Sequence, residues 1–300
     1  MISVMDLDKR DAATIAKTLK VFRPILTRVF RAKVDGFDRI PPGPHLFVAN
    51  HSIGAVWEVA ALLDAWERAF GGTRPAYGLA HNLGFHLPWF RTLLPQIGAI
   101  PATHEAADEA LKSGASVIVF PGGNDEVVRP FWRRNRCELS GHKGFARIAL
   151  RTGVPVVPVS IVGSHATNVV LGGSRLVSWL TLIGPLLKIR QLPISVGQFF
   201  AAGVGFGIGF VFGPTWFAAL LAWMAFTSPM AVFWPIFPAR ISAAVGEPID
   251  PFAVTKGLAG EAQIQALYEI VEARIQEGMD RQVSARKRGA SRTQGATADR

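Results

Sequence analysis

The sequence predicts an α/β fold: a mostly parallel sheet flanked by helices, with a hydrophobic helical hairpin inserted late in the chain. Three observations carry that expectation. Short apolar runs such as Leu46-Phe47-Val48-Ala49 and VPVVPVSI (residues 154–161) alternate with amphipathic stretches of helical length, as in strands joined by crossover helices. Each run is continuously apolar and bounded by turn residues, which reads as a buried strand. Residues 191–239 hold no charged side chain, an uncharged length rare in a water-facing domain.

Composition narrows the class. The chain of 300 residues is 49% hydrophobic and only 18% charged, with a mean hydropathy of +0.27. That is too apolar for an ordinary soluble enzyme of this length and points to membrane contact. A formal charge of +10 suits nucleic acid or an anionic bilayer equally; the apolar excess favours the bilayer and no nucleic-acid partner is expected. Cys137 is the one cysteine, which excludes an intramolecular disulfide and a CxxC metal pair and allows a reducing cytoplasm. The start, MISVMDLDKRD, places acidic residues before any apolar core, unlike a cleavable signal peptide.

In residues 11–31, Ile15, Leu19, Phe22, Leu26 and Val29 trace one helical face and Lys17, Lys20, Arg23, Arg28 and Arg31 add charge. Such a helix would lie on an anionic bilayer or pack on the domain, with Pro24 as a kink or break. A Pro/Gly turn at 41–44 leads into the first strand, which ends at Asn50-His51, and a helix follows over 56–70, stopped by Gly71-Gly72. Further strands are expected at 75–80, 116–120, 154–161 and 241–245, and helices at 105–113, 141–152 and 261–282. Phe85, Leu87, Trp89 and Phe90 would face an apolar ligand or the bilayer.

The uncharged insertion divides at Gly213-Pro214 into residues 194–212 and 215–234, each near the ~20 residues that cross a bilayer. Gly203, Gly205, Gly207 and Gly209 give small-xxx-small pairs on which a second helix can pack closely. Because residues 241–245 return to the sheet, the insertion crosses an even number of times or is re-entrant. Arg175, Lys188, Arg190 and Arg240 flank it with positive charge, which puts both ends, and the catalytic domain, on the cytoplasmic face of a membrane. Residues 284–300 are polar, basic and aperiodic, and read as a disordered tail.

Three loops converge where strands end: the His51 loop, the Pro121-Gly122-Gly123 turn and the segment after the 154–161 strand. A histidine there can take a proton from an alcohol if a carboxylate or carbonyl orients its other ring nitrogen. A Gly-Gly turn can offer backbone N–H groups to a phosphate or an oxyanion. Together they describe acyl or phosphoryl transfer to a hydroxyl. No GxSxG elbow, P-loop or HExxH is present, so no serine hydrolase, nucleotide-binding or zinc site is expected.

Asn50-His51, the stretch from GAIPA to VFPGG (98–123), HKGFARIAL (142–150) and VPVVPV (154–159) resemble, in order and spacing, the successive blocks of the glycerolipid acyltransferase family, and VGEPI (245–249) resembles its closing strand. The resemblance implies transfer of a fatty acyl group from acyl-CoA or acyl carrier protein, the only co-substrate, to a glycerolipid hydroxyl, with His51 as general base and no metal or other cofactor. It implies an acyltransferase domain of residues 35–190 and 240–283, beside a basic amphipathic helix (1–34), a membrane-inserting hairpin (191–239) and the tail. Asn50, Ser52, Pro121, Gly122, Gly123, Asn124, Arg129, His142 and Lys143 are the expected substrate-binding residues.

Two departures stand out. The family's His-x4-Asp would put an aspartate at position 56, which is Val56; the nearest carboxylate is Glu58. On a continuous helix two residues turn a side chain by ~200°, so Glu58 replaces the aspartate only if loop 52–55 absorbs the difference; otherwise it is a surface glutamate near a helix start. The family's Phe-Pro-Glu-Gly-Thr-Arg is here Phe120-Pro121-Gly122-Gly123-Asn124-Asp125. That form resembles the mono- and diacylglycerol branch, and an Asp125-Glu126 pair would repel an acceptor phosphate, so a neutral acceptor is expected. Arg129, Arg133, Arg134, Arg136, His142 and Lys143 are candidates for the phosphates of coenzyme A, those of the acceptor or lipid headgroups, the alternative being a solvated basic loop. A lysophosphatidate acceptor, or an inactive lipid-binding protein, are the alternatives.

Overall fold

The computed structural model describes residues 7–86, 90–180, 190–228, 231 and 235–298. The strands are β1 (Lys33–Asp35), β2 (Leu46–Ala49), β3 (Ala76–Ala80), β4 (Ala99–Pro101), β5 (Ser116–Val119), β6 (Val156–Val162), β7 (Val170–Ser174), β8 (Leu192–Ser195) and β9 (Ser242–Val245). Seven of them form one sheet in the order β1-β9-β6-β2-β5-β3-β4. From β6 to β4 neighbouring strands are parallel, while β9 runs antiparallel to β6 and carries β1 parallel to itself. The expected return of the chain after the insertion is therefore real, in the opposite direction. β7 and β8 form a separate antiparallel ribbon.

The central strands are buried on both faces, and their side chains divide by period two between two cores. Leu46 and Val48 of β2, with Val156 of β6, face one core, completed by helices α4 (His104–Lys112), α6 (Gly144–Thr152) and α11 (Gly260–Ala298). Phe47 and Ala49, with Val157, Val159 and Ile161, face the other, completed by α1 (Ala12–Arg28) and α2 (Ala55–Phe70). Shorter helices fill the connections: α3 (Phe90–Gln96), α5 (Gly123–Val127), α7 (Arg175–Leu180) and α10 (Pro251–Val254). Strands β1 and β4 escaped the sequence reading because three residues are too few for a period.

Two expectations change. Helix α1 begins at an Asp11 cap and passes through Pro24 unbroken. Its stripe is not offered to a bilayer: Ile15, Leu19 and Leu26 are buried, and Phe22 lies 5.5 Å and the following Phe30 4.9 Å, ring to ring, from Trp57 of α2. Lys17, Lys20, Arg28 and Arg31 stay exposed, and Arg23 pairs with Asp64 at 2.6 Å. At the other end, α11 continues to Ala298, through residues expected to be disordered. Gln282 donates to the Ser160 carbonyl at 2.9 Å and Arg286 to the Val162 carbonyl at 3.1 Å. These polar anchors flank Val283, which still packs on the core, and tie the helix to β6 in a way that hydrophobic periodicity does not register.

The insertion folds as two helices, α8 (Val196–Phe212) and α9 (Thr215–Thr227), joined by Gly213-Pro214. Ser195 and Gln198 cap α8 reciprocally. The helices are antiparallel, since Gly205 faces Leu221 and Ala225 while Gly209 faces Ala218. They span 17 and 13 residues, and among the described residues no helix is long and apolar enough to cross a membrane. Pro229, Met230 and residues 232–234 of the expected second half, like Leu87, Trp89 and Lys188, lie outside the described residues. Phe85 is buried and Phe90 is exposed.

At Gly209 a Cβ would stand 2.4 Å from the Ala218 Cα, whereas nothing lies within 4 Å of one at Gly207. Gly209→Leu should therefore cost about 1–3 kcal/mol by forcing the helices apart, and Gly207→Leu should cost little, both read by thermal unfolding. Equal effects would contradict this packing.

Candidate active site

The strand-end histidine is held by its neighbours before its chemistry begins. Asn50 is buried and continues the β2–β6 ladder with its side chain: its Nδ2 donates to the Ile161 carbonyl at 2.9 Å and its Oδ1 accepts the Ile161 N–H at 2.7 Å. The main chain is thus free to turn off the sheet at His51. The expected substrate-binding role of Asn50 gives way to a structural one.

Helix α2 starts at Ala55, so the His51–Gly54 loop absorbs the two extra residues. Val56, where the aspartate was expected, is 48% exposed, and Glu58, ~200° further round, is 1% exposed. The Glu58 Oε2 lies 2.8 Å from His51 Nδ1. The carboxylate also accepts from the Ser52 N–H at 3.3 Å and the Ser52 hydroxyl at 2.6 Å, and from the Ser164 hydroxyl. Burial alone would raise the Glu58 pKa, but the bonds and charge from His51, Ser164 and Ser52 outweigh it and hold the carboxyl below its ordinary value. An anionic Glu58 favours a proton on Nδ1, leaving the lone pair on Nε2. The ring rests against Phe120, centroids 4.5 Å apart, and its side chain is 16% exposed.

The turn after β5 works differently from the expectation. The Gly123 N–H is taken by the Phe120 carbonyl at 3.2 Å, and the Asn124 amide donates to the Gln191 carbonyl at 2.9 Å. Pro121 is half-buried, and Gly122 has no room for a side chain, since a Cβ would stand 2.4 Å from Glu126 Oε2. Glu126 is fully buried and accepts the His51 N–H at 2.6 Å. It repels nothing at the surface, because Arg129 pairs with it at 3.0 Å. Burial pushes its carboxyl up to about 7 against the pull of Arg129.

Arg129 is 2% exposed, so the expected phosphate ligand is an internal ion-pair partner. His165 is buried beside it, its Nε2 donating to the Arg129 carbonyl at 2.6 Å, and burial depresses its pKa to about 4. His142 is exposed, and Lys143 bonds Glu261 of α11 at 2.8 Å; their contacts among the described residues do not reach His51. Ser52 does reach the site, as a Glu58 partner. Sequence reading passed over Ser164 and His165 as site residues and took Glu126 for an exposed charge, whereas it is buried. For Ser164 the signal was its place directly after a buried strand; Glu126 had none beyond its distance from the turn. Among the described residues no group of three or more His, Cys, Asp or Glu is placed to hold a metal.

The mostly parallel sheet thus presents a histidine–carboxylate pair, His51 and Glu58, at its strand ends, and comparison with known proteins places that arrangement in context. Residues 31–162, somewhat under half of the chain, match the family model described as Acyltransferase, over the stretch in which the resemblance was read. An uncharacterised protein of Mycobacterium tuberculosis is 32% identical over 165 residues, covering 53% of this chain and 46% of that one. The mouse protein named DGAT1/2-independent enzyme synthesizing storage lipids is 28% identical, covering 49% and 44%. Human 2-acylglycerol O-acyltransferase 3 is 30% identical, covering 34% and 30%. The chain thus spans less than half the length of these relatives. The solved 1-acyl-sn-glycerophosphate acyltransferase PlsC of Thermotoga maritima has a TM-score of 0.47 at 20% identity, covering 88% of this chain and 80% of that one.

Because the native Glu58 pKa lies below the ordinary 4.5, the unfolded chain binds that proton more tightly. Glu58 therefore stabilises the fold above pH 4.5 and loses that contribution as pH falls through its native pKa. Glu58→Gln should lower the unfolding temperature at pH 7, by about 1–3 kcal/mol in stability, with the gap narrowing in acid. A gap that widens toward acid would refute the assignment.

Proposed function

We propose that the chain is a membrane-associated O-acyltransferase that moves a fatty acyl group from acyl-CoA or acyl carrier protein to a glycerolipid hydroxyl. The observation that carries this is the 2.8 Å pairing of His51 Nδ1 with the buried Glu58 carboxylate, within a domain that matches the acyltransferase family. His51 Nε2 takes the acceptor's hydroxyl proton as the oxygen attacks the thioester carbonyl. The tetrahedral intermediate collapses, the thiolate leaves, and the imidazolium returns the proton to the sulfur. Glu58 stabilises that imidazolium and fixes its orientation. With a carboxylate at His51, the inactive lipid-binding alternative loses its motive.

A neutral acceptor, mono- or diacylglycerol, is favoured because three of the candidate cations are engaged by carboxylates: Arg129 by Glu126, Arg133 by Glu138 and Lys143 by Glu261. The names of the human and mouse relatives support the same branch. For the membrane, Phe199, Phe200, Phe210, Val211, Phe212, Trp216 and Met224 of the hairpin are each more than half exposed, a large apolar patch that a bilayer would cover. Helices shorter than a span support a re-entrant hairpin, and Arg175, Arg190 and Arg240 support the cytoplasmic side.

His51→Ala should cut acyl transfer by about 10²–10⁴-fold in a chain that still folds, with some loss of unfolding temperature because Glu58 loses one partner; wild-type turnover would sink the proposal. In the same assay mono- or diacylglycerol should outcompete lysophosphatidate, and preference for the phosphorylated lipid would defeat the neutral-acceptor reading. For the hairpin, the Phe210→Glu/Phe212→Glu pair should cost several kcal/mol of insertion, at about 2.5–3.5 per charge at full depth, and abolish flotation with liposomes. Undiminished flotation would place the bilayer contact elsewhere.

A further inference from the structure

We propose that the buried Glu126–Arg129 pair is the positioning device for His51, gripping its main chain while Glu58 grips its ring. This rests on reading His51 as the general base. Glu126 Oε2 accepts the His51 N–H at 2.6 Å, and Arg129 Nη2 approaches the His51 carbonyl at 3.5 Å. The two peptide groups that flank one residue are therefore held by opposite ends of one ion pair, itself closed at 3.0 Å. Glu126 is further fixed by the Glu138 N–H at 3.3 Å, and Arg129 by its carbonyl bond from His165.

The Pro121-Gly122-Gly123 turn acquires a purpose of its own in this arrangement. Glu126 folds back under the turn so far that its Oε2 would stand 2.4 Å from a Cβ at position 122, so only glycine lets the carboxylate reach the His51 N–H. Gly123, at φ +50°, then swings the chain into α5. The turn serves as an arm for a carboxylate rather than as a cradle for phosphate.

A plain stability role fits poorly. Desolvating two charges generally costs as much as their attraction returns, and a hydrophobic replacement of similar volume is often neutral or better. What the pair supplies is geometry. A general base must lie within hydrogen-bond reach of the proton it takes, and displacement of a reacting group by 1 Å costs on the order of 10²-fold in rate. Glu58 fixes only one ring nitrogen; rotation of the His51 peptide planes would still carry Nε2 off target.

The test compares kcat, KM and unfolding temperature in Glu126→Leu, in Glu126→Leu/Arg129→Met and in Gly122→Ala, with His51→Ala as control. Glu126→Leu removes the acceptor of the His51 N–H and strands a buried arginine, so it is expected to lose stability; the double variant removes both charges and is expected to stay folded. Gly122→Ala keeps both charges but drives a methyl group against the carboxylate. Each folded variant should lose at least tenfold in kcat with KM for donor and acceptor within twofold. Wild-type kcat in the folded double variant would overturn the proposal, as would a raised KM at constant kcat, which would make Arg129 a substrate ligand after all. Failure of all three to fold would make the pair a folding element and equally overturn it. If His51→Ala is itself active, the catalytic reading falls; if it is inactive while the double variant turns over normally, only the clamp falls.

Discussion

The rest of the site depends on one buried carboxylate. Glu58 has no exposure to speak of, and an isolated carboxylate there would be costly enough to pick up a proton. It keeps its charge because His51, Ser52 and Ser164 all donate to it. That requirement shapes its surroundings. Helix α2 must begin at Ala55 so that position 58 faces inward, the loop from His51 to Gly54 must be tight, and the chain leaving β6 must bring Ser164 across. Strand ends from β2 and β6 meet at one negative charge, and the histidine inherits its orientation from that meeting.

Around this charge the cations are spent on structure more than on ligand. Arg129 closes on Glu126, Arg23 on Asp64 and Lys143 on Glu261. A site for a phosphorylated lipid would leave such groups free to face the ligand. Exposed cations lie on α1 and beside the hairpin, where a bilayer surface would suit them, and also at Arg133, Arg134 and Arg136 after the Pro121 turn. The apolar face of α1 is closed against Trp57, so the proposed contact with a bilayer rests on the exposed apolar residues of α8 and α9.

The central sheet was legible because β2, β5 and β6 are buried on both faces and read as unbroken apolar runs. His51 was legible from its place at the end of one of them, and the mostly parallel order followed from the alternation with helices. Glu58 was half legible: its spacing was visible, but whether loop 52–55 would absorb the offset is a matter of backbone path that no periodicity reports. Glu126 and Arg129 were misread, because charged residues next to a glycine turn look solvated until tertiary structure buries them against each other. The end of α11 was missed for a related reason: Gln282 and Arg286 anchor it through polar bonds to strand carbonyls.

The central claim is that Glu58 holds His51 with its proton on Nδ1 and its lone pair on Nε2. The tautomer is directly observable in the ¹⁵N–¹H spectrum of histidine-labelled protein, with the His51 signals assigned by their absence from His51→Ala. The expected result is a protonated Nδ1 and an unprotonated Nε2 in the neutral ring, with that preference lost in Glu58→Gln. A neutral His51 found with its proton on Nε2 in the unmodified protein would contradict it.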